Sequence, residues 1–525
     1  MTDSLAPAEA RSVRAASLVA GGIFLSRVVG FVRDRAFAHF FGSEGAADAF
    51  NAAIKIPNIL RNLLGEGALS ASFIPVYSAA LDRGNGAEAR ALANSILSFL
   101  LLATSAVTIA GIALAPVITE LVATGFDAEK AALTTRLIRV LFPMTGLMVL
   151  SGWCLGIQNS HRLFFNSYAS AALWSVAQIV LLLWWGPRAE SLAQLAWWLA
   201  WATLAGSALQ IMAQLPQVIP LVRPLVLRIG AGVPGVRETL RNFAPVVTAL
   251  GLFQISSLID LQIASWLPEG AVANLSYAQR IYLVPIALFG VSVAAAALPE
   301  FSRESAAVAR DALLERLRDG WVRILFYIVP TAVAFIAYGD LIVGLLYRSG
   351  RFGAEEQRLV HWILAAYALG LVSFSSVKLV ASAFYAMRDY RTPLLAAVAS
   401  IVAGTSAAVA MALSLRASPV GAVGLAAGAA LGSYVNLIVL SGRLHRRLGK
   451  LYTPAMWTGT WRIAAASAVA GAVAFPVRWL LRDQHVAITA VATLPVFGVV
   501  FLAVAYRWGS NEAARWLRRL RFLRS

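Results

Sequence analysis

Charge is scarce in this sequence, and the scarcity excludes a water-soluble globule. Only 13% of its 525 residues are charged, against 59% hydrophobic residues and a mean hydropathy of +0.72. A soluble chain of that length needs far more charge to cover its surface. Cysteine is nearly absent. Cys154 stands alone in the apolar stretch from Leu150 to Ile157, which rules out an intramolecular disulfide and reads as a small core residue. The five histidines are scattered, so no Cys/His cluster has metal-ligand spacing, and neither a bound metal nor a cofactor is expected. No nucleophile, base and orienting group stand in a recognisable set, which argues against an enzyme. Acidic residues are the scarcer sign, 26 against 44 Lys and Arg, for a net charge of +18. In a membrane protein such a surplus reflects cytoplasmic loops before it suggests nucleic acid, and no nucleic-acid partner is expected.

Apolar runs are what the sequence has in abundance. They are roughly 20 residues long, the length that crosses a hydrocarbon core of about 30 Å. In lipid every backbone N–H and C=O needs an internal partner, so such runs form helices or a closed barrel. Barrel strands alternate apolar and polar residues over about ten positions. These runs do not alternate, which predicts an all-α polytopic membrane protein with about 14 transmembrane helices. The spans fall near 16–41, 47–80, 91–115, 131–157, 163–185, 192–215, 241–266, 271–299, 321–346, 357–387, 392–414, 418–441, 459–480 and 486–506. The second is long for one crossing, and Pro57 and Pro75 are expected to kink it.

Charge sets the orientation. With the N-terminus in the cytoplasm, 27 of the 44 Lys and Arg fall in cytoplasmic segments, 10 in outer segments and 7 inside spans. That bias puts both termini in the cytoplasm. The first span carries Arg27 and Arg33 and lacks a small-residue cleavage site, so it reads as a retained span and not a signal peptide. The tail from Arg507 onward is basic and amphipathic and is expected on the anionic inner leaflet, with membrane lipids as partners. Trp184, Trp185, Trp197 and Trp198 read as an interfacial belt.

A weak internal echo suggests two halves. The second span holds Lys55-Ile-Pro57 and then Pro75; the eighth holds Arg280, Pro285 and Pro299. Two six-helix lobes account for this, residues 1–225 and 226–450, followed by a helix pair with a basic tail in 451–525.

The functional signal lies in charges inside spans: Arg27, Arg33, Arg35, Lys55, Arg61, Arg280 and Lys378, with the acidic companions Asp34, Asp48, Glu66 and Asp260. A charge at mid-bilayer costs several kcal/mol and faces a water-filled cavity or a partner. Arg27 lies about 16 Å along the first helix, too deep for every such residue to snorkel out. Arg27 and Arg33 are about 120° apart on an ideal helix, so either the helix is irregular or Arg33 faces a different neighbour. One reading is structural, with Arg–Asp pairs locking helices together. The other follows from number: in-span cations exceed in-span acids seven to four, and the excess needs an anion. The planar guanidinium fork suits phosphate. The charges therefore point to a transporter of a phosphate- or carboxylate-bearing substrate.

Four motifs sharpen this. Ser26-Arg-Val-Val-Gly-Phe-Val-Arg-Asp34 is followed by Ala47-Asp-Ala-Phe50, Lys55-Ile-Pro-Asn-Ile-Leu-Arg61 and Gly65-Glu-Gly-Ala-Leu-Ser-Ala-Ser-Phe-Ile-Pro75. The series resembles the MurJ (MviN) family of lipid II flippases, within the superfamily of multidrug, oligosaccharidyl-lipid and polysaccharide exporters. The likeness continues through Tyr277-Ala-Gln-Arg-Ile281, Leu298-Pro299, Val377-Lys378 and Thr392-Pro393. It implies a flippase that carries the undecaprenyl-diphosphate-linked peptidoglycan precursor, lipid II, to the outer leaflet by alternating access. It also implies that cell-wall synthesis proteins are candidate partners. By the same resemblance Arg27, Arg33, Arg61 and Arg280 bind substrate and Asp48 matches a family aspartate, with Asp34 in the same motif; the reading of in-span charges gives Asp34, Asp48, Glu66, Lys55 and Lys378 to ion pairing and gating. Rival readings are an exporter of another anionic polyprenyl-linked saccharide and a lipid II-binding scaffold that moves nothing.

One departure concerns coupling. Some relatives bind sodium through a carboxylate on the seventh span and Asn or Asp on the eleventh. Asp260 supplies the first, but residues 393–413 hold neither Asn nor Asp. A hard cation needs several oxygens. Asp260 is left with pairing inside its lobe or proton coupling. Replacing sodium by choline or potassium is accordingly expected to leave lipid II transport nearly unchanged in a leaflet-resolved assay. A strict sodium requirement would show that the ligands lie elsewhere.

Overall fold

In the computed structural model the apolar runs are helical, and the structure describes residues 8–227, 230, 232–291, 309–416, 418, 420–449, 451 and 453–522. The chain divides into two compact units. One runs to Val272 and takes in Ser349–Arg351; the other comprises Ala273–Arg348 and the chain from Phe352.

In the first unit the order is α1 (Ala8–Phe41), α2 (Gly45–Leu60), a π-helical segment π1 (Arg61–Gly67), α3 (Ala68–Asp82), α4 (Gly86–Ala113), α5 (Ala115–Val122), α6 (Ala128–Ser160), α7 (Phe164–Ala169), α8 (Ala171–Trp185), α9 (Leu192–Val222) and α10 (Val236–Ser265). The chain continues through α11 (Ala271–Pro285) and π2 (Ile286–Val291) to α12 (Ala309–Tyr347), α13 (Ala354–Ala386), α14 (Arg391–Ser414), α15 (Gly421–Leu448), α16 (Pro454–Leu480), α17 (Val486–Arg507) and α18 (Asn511–Phe522). Ten of the described helical stretches are long and apolar enough to cross a membrane. The other four expected spans fall on α1, α2 to α3, α10 and α11, where charges or breaks interrupt the apolar run.

The expected kinks in the second span take a specific form. Pro57 has no N–H to donate, and four residues later the ladder opens into π1. Pro75 sits inside α3 without ending it. The second unit repeats the device, since Pro285 closes α11 directly before π2. Leu298 and Pro299 lie outside the described residues.

A second correspondence is in α6 and α13. Each is 33 residues long. Each ends with an arginine in the left-handed region, Arg162 at φ 62° and Arg388 at φ 58°. Two backbone bonds close each end. Arg162 and Leu163 donate to Asn159 and Gln158, and Arg388 and Asp389 donate to Tyr385 and Phe384. This is the Schellman pattern, which returns bonds to carbonyls that a helix end leaves open.

Packing in the first unit centres on Phe73, Tyr77, Leu92, Ile96 and Trp153, joining α3, α4 and α6. Polar side chains tie α6 to α9: Gln210 donates to Ser151 at 2.9 Å, Ser151 to Gln214 at 3.0 Å, and Gln214 to Ser170 at 2.8 Å. Such bonds hold helices where water cannot compete. In the second unit α16 and α17 pack on α12 through Phe326, Tyr338, Phe497 and Phe501. Arg478 donates to Asp340 at 2.8 Å and to the Ala337 carbonyl at 2.7 Å. The tail helix α18 is anchored by Glu512, whose carboxylate lies 3.5 Å from Arg323 of α12.

The pair α14 and α15 meets through small residues. A Cβ on Gly428 would lie 2.6 Å from the Ala408 nitrogen and 2.7 Å from its Cα. Backbone cannot move aside as a flexible side chain can. Gly428→Val is expected to cost roughly 1–3 kcal/mol. Thermal unfolding in detergent checks this, and an unchanged midpoint would show that the two helices separate freely.

Candidate functional site

The in-span charges of the first unit fall into two zones. The first follows α1, α2 and their neighbours. Arg33 and Asp34 are adjacent on α1, yet the guanidinium turns back to place Nη2 at 2.6 Å and Nε at 3.1 Å from Asp34 Oδ1. The pair is held tightly, with side-chain exposures of 16% and 7%. The same guanidinium lies over the Trp174 ring of α8, 4.8 Å from its centroid. Arg33 thus faces α8. The Arg33–Asp34 contact is internal to one helix.

Arg27 is exposed, beside exposed Phe24 and Val28, and has no carboxylate partner among the described residues. Arg35, one residue past Asp34, is exposed as well. Lys55 on α2 is half-buried and near enough to Asp260 on α10 for their charges to interact. Arg61 is the first residue of π1 and half-buried. Glu66 belongs to π1, but its side chain lies outside the described residues. In the second unit Arg280 on α11 lies 6.0 Å from the Tyr277 ring, and Lys378 on α13 is exposed.

The second zone is at the end of the unit where α1 gives way to α2. Asp48 is 2% exposed and accepts from the Gly270 N–H at 2.8 Å, with Lys130 Nζ at 3.6 Å. Gly270 has φ 85°, and a Cβ there would meet the Ser43 carbonyl oxygen at 2.4 Å, so glycine is required twice over. Glu269 accepts from the Gly45 N–H, and Glu44 pairs with Arg351 at 2.7 Å. A cavity of about 780 Å³ opens beside these groups, walled by Lys130, Arg136, Glu129, Trp197 and Glu269. Asp127 at its rim caps α6. The Lys130 backbone N–H donates to it at 2.9 Å and holds its carboxyl below the ordinary range. Among the described residues no group of three or more His, Cys, Asp or Glu is placed to hold a metal ion.

Sequence reasoning missed Lys130, Trp174 and Glu269. Asp127, three residues before Lys130, is a legible helix cap that brings it into the first turn of α6.

Long apolar helices, two of them interrupted by π segments close to cations, define a polytopic helical membrane protein. Solved structures share that fold. A multidrug resistance MATE family transporter of the MOP superfamily, inward-facing, matches with a TM-score of 0.63 at 17% identity, covering 81% of this chain and 95% of its own. "Lipid II flippase MurJ, inward closed conformation" matches with a TM-score of 0.76 at 23% identity, covering 93% and 99%. The family model "Lipid II flippase MurJ" matches residues 37–496. The lipid II flippase MurJ of Burkholderia cenocepacia is 32% identical over 74% of this chain and 76% of its own length. The probable lipid II flippase MurJ of Rhizobium meliloti is 32% identical over 89% and 87%. The chain belongs to the MurJ family.

The Asp48 cluster yields a stability test. Asp48→Ala leaves the Gly270 N–H and the Lys130 ammonium without this acceptor, at a cost of roughly 1–3 kcal/mol. Combined with Lys130→Met, the effects are expected to be non-additive by about 0.5–3 kcal/mol in thermal unfolding of the full chain. Strict additivity would show that the two side chains do not act on each other.

Proposed function

We propose that this chain flips lipid II, the undecaprenyl-diphosphate-linked peptidoglycan precursor, from the inner to the outer leaflet of the cell inner membrane. The reading takes both termini as cytoplasmic, fourteen spans, and two six-helix lobes with a further helix pair after residue 450. Family membership gives the reaction class, and a single observation carries the chemistry. Arg27 is a guanidinium in the middle of an apolar helix with no carboxylate partner among the described residues. Such a group needs an anion, and a diphosphate offers paired oxygens that match its fork.

The roles of the other charges follow. Arg33 holds Asp34 at 2.6 Å and is fixed in orientation by Trp174, so it is a cation already shaped for an oxyanion. Substrate phosphate can take the place of the Asp34 carboxylate, which makes the pair a gate that opens on binding. Arg61 and Arg280 supply further positive charge, each close to a π segment where the helix is already irregular. The sugar–peptide headgroup occupies the wet interior while the polyprenyl tail stays in lipid. Rocking of two lobes then exposes the site to the other side. A positively charged site also feels the membrane potential, at about 2.3 kcal/mol per charge per 100 mV, which favours its return to the inner side.

Depletion of the chain in its host is expected to trap lipid II in the inner leaflet, read by a leaflet-resolved accessibility assay. Wild type restores export, whereas Arg27→Ala, Arg33→Ala, Arg61→Ala and Arg280→Ala fail at normal protein level. Arg→Lys keeps charge but loses the fork, for a drop of roughly tenfold, about 1.4 kcal/mol. Normal export by all four alanine variants would remove the arginines from the mechanism. Normal export after depletion would leave another anionic lipid as the substrate.

A further inference from the structure

A second group of cations lies in the other unit, where α13 turns into α14 beside the end of α15. A cavity of about 550 Å³ is walled there by Arg388, Asp389, Tyr390, Arg391, Arg443 and Arg447. Asp389 is the one acid among them and is already committed. It caps α14 through the Thr392 N–H at 3.0 Å and hydroxyl at 2.7 Å, and it pairs with Arg447 at 2.7 Å. These contacts, Thr392 first, hold its carboxyl below the ordinary range, so it stays ionised and fixes Arg447. Arg388, Arg391 and Arg443 are exposed and have no carboxylate partner among the described residues. Three uncompensated guanidinium groups thus share one pocket around a fixed fourth.

The backbone at Arg388 adds to the case. The position after a helix C-cap in the left-handed region ordinarily takes glycine. Here an arginine holds it at φ 58°, which aims a long cationic side chain from a turn that would form more easily without one. Arg162 ends α6 in the same way, but Leu163, Phe164 and Phe165 follow it, with no second arginine.

The surroundings identify the ligand. Leu395 lines the cavity, and on the same face of α14 Val398 and Val402 follow at helical spacing. Their exposures are 54%, 45% and 61%. Tyr390, 65% exposed, stacks on Tyr385 with ring centroids 5.9 Å apart, in the manner of an interfacial aromatic. A cationic pocket leading onto an exposed aliphatic stripe matches one molecule: a phospholipid with its phosphate among the arginines and an acyl chain along α14. We propose that this pocket binds an anionic membrane phospholipid that is not the transported substrate. The chemistry recognised is a phosphate ester with net negative charge. The aliphatic stripe favours a lipid over a free anion. The site rests on the membrane character of the chain and is independent of which lipid is flipped.

The test uses the full chain purified in detergent. Native mass spectrometry counts bound lipid during titration with phosphatidylglycerol, phosphatidylcholine or inorganic phosphate, and thermal unfolding is followed in parallel. Two variants are compared with wild type: the triple Arg388→Gly, Arg391→Gln, Arg443→Gln, and the single Arg388→Gly, which relaxes the turn and keeps the fold. Wild type is expected to retain one phosphatidylglycerol in preference to phosphatidylcholine and to gain thermal stability from it. The triple variant should bind at least tenfold more weakly and gain none, and the single variant should fall between the two. Equal retention of both lipids by wild type, or equal retention of phosphatidylglycerol by wild type and both variants, would overturn the proposal. Inorganic phosphate displacing the lipid at equal concentration would overturn the lipid assignment in favour of a soluble anion.

Discussion

Every backbone N–H and C=O that crosses the hydrocarbon needs a partner supplied by the chain itself, and this single demand shapes most of the structure. It makes each apolar run a helix. It governs the helix ends as well, where α6 and α13 return their last N–H groups to open carbonyls. It appears in side chains too: the hydroxyls of Ser72, Thr104, Thr203 and Ser207 each donate to the carbonyl four residues earlier and so need no water. The prolines show the demand at its limit. Pro57 and Pro285 each remove a donor, and the ladder close by widens into a π segment without breaking the helix.

Where the backbone is satisfied so completely, function falls to side chains that are costly to place. The first unit separates two kinds. Asp48 is buried and consumed by structure, since one carboxylate holds both the Gly270 amide and the Lys130 ammonium. Arg33 is paired with the next residue along its own helix. The difference is geometric. The Asp48 carboxylate joins separate stretches of chain, whereas the Arg33–Asp34 pair stays within one helix.

Much of this was legible in the residues. The interruption near the second span was readable from Pro57. The form of the interruption was not readable, because one extra residue per turn leaves no periodic mark in an apolar run. Arg33 and Asp34 were singled out by cost alone. Their mutual pairing was hidden because adjacent residues point about 100° apart on an ideal helix, and only the length of arginine lets it turn back. The contact of Lys130 with Asp48 was not readable, because the two residues lie far apart in the chain. Trp174 looked like any other aromatic in an apolar span.

The sequence by itself determined the membrane environment, the helical class, the family and the identity of the costly charges. Each of these depends on local properties: run length, residue type, and motifs within a few turns of one another. The tertiary structure decided which charges meet. Asp48 finds Gly270, 222 positions away, and Arg33 finds Trp174 on another helix. It also gathered Arg388, Arg391, Arg443 and Arg447 into one pocket from three helix ends. Such meetings depend on how whole helices pack, and packing is set by many weak contacts spread over the entire chain, none of which a local pattern records.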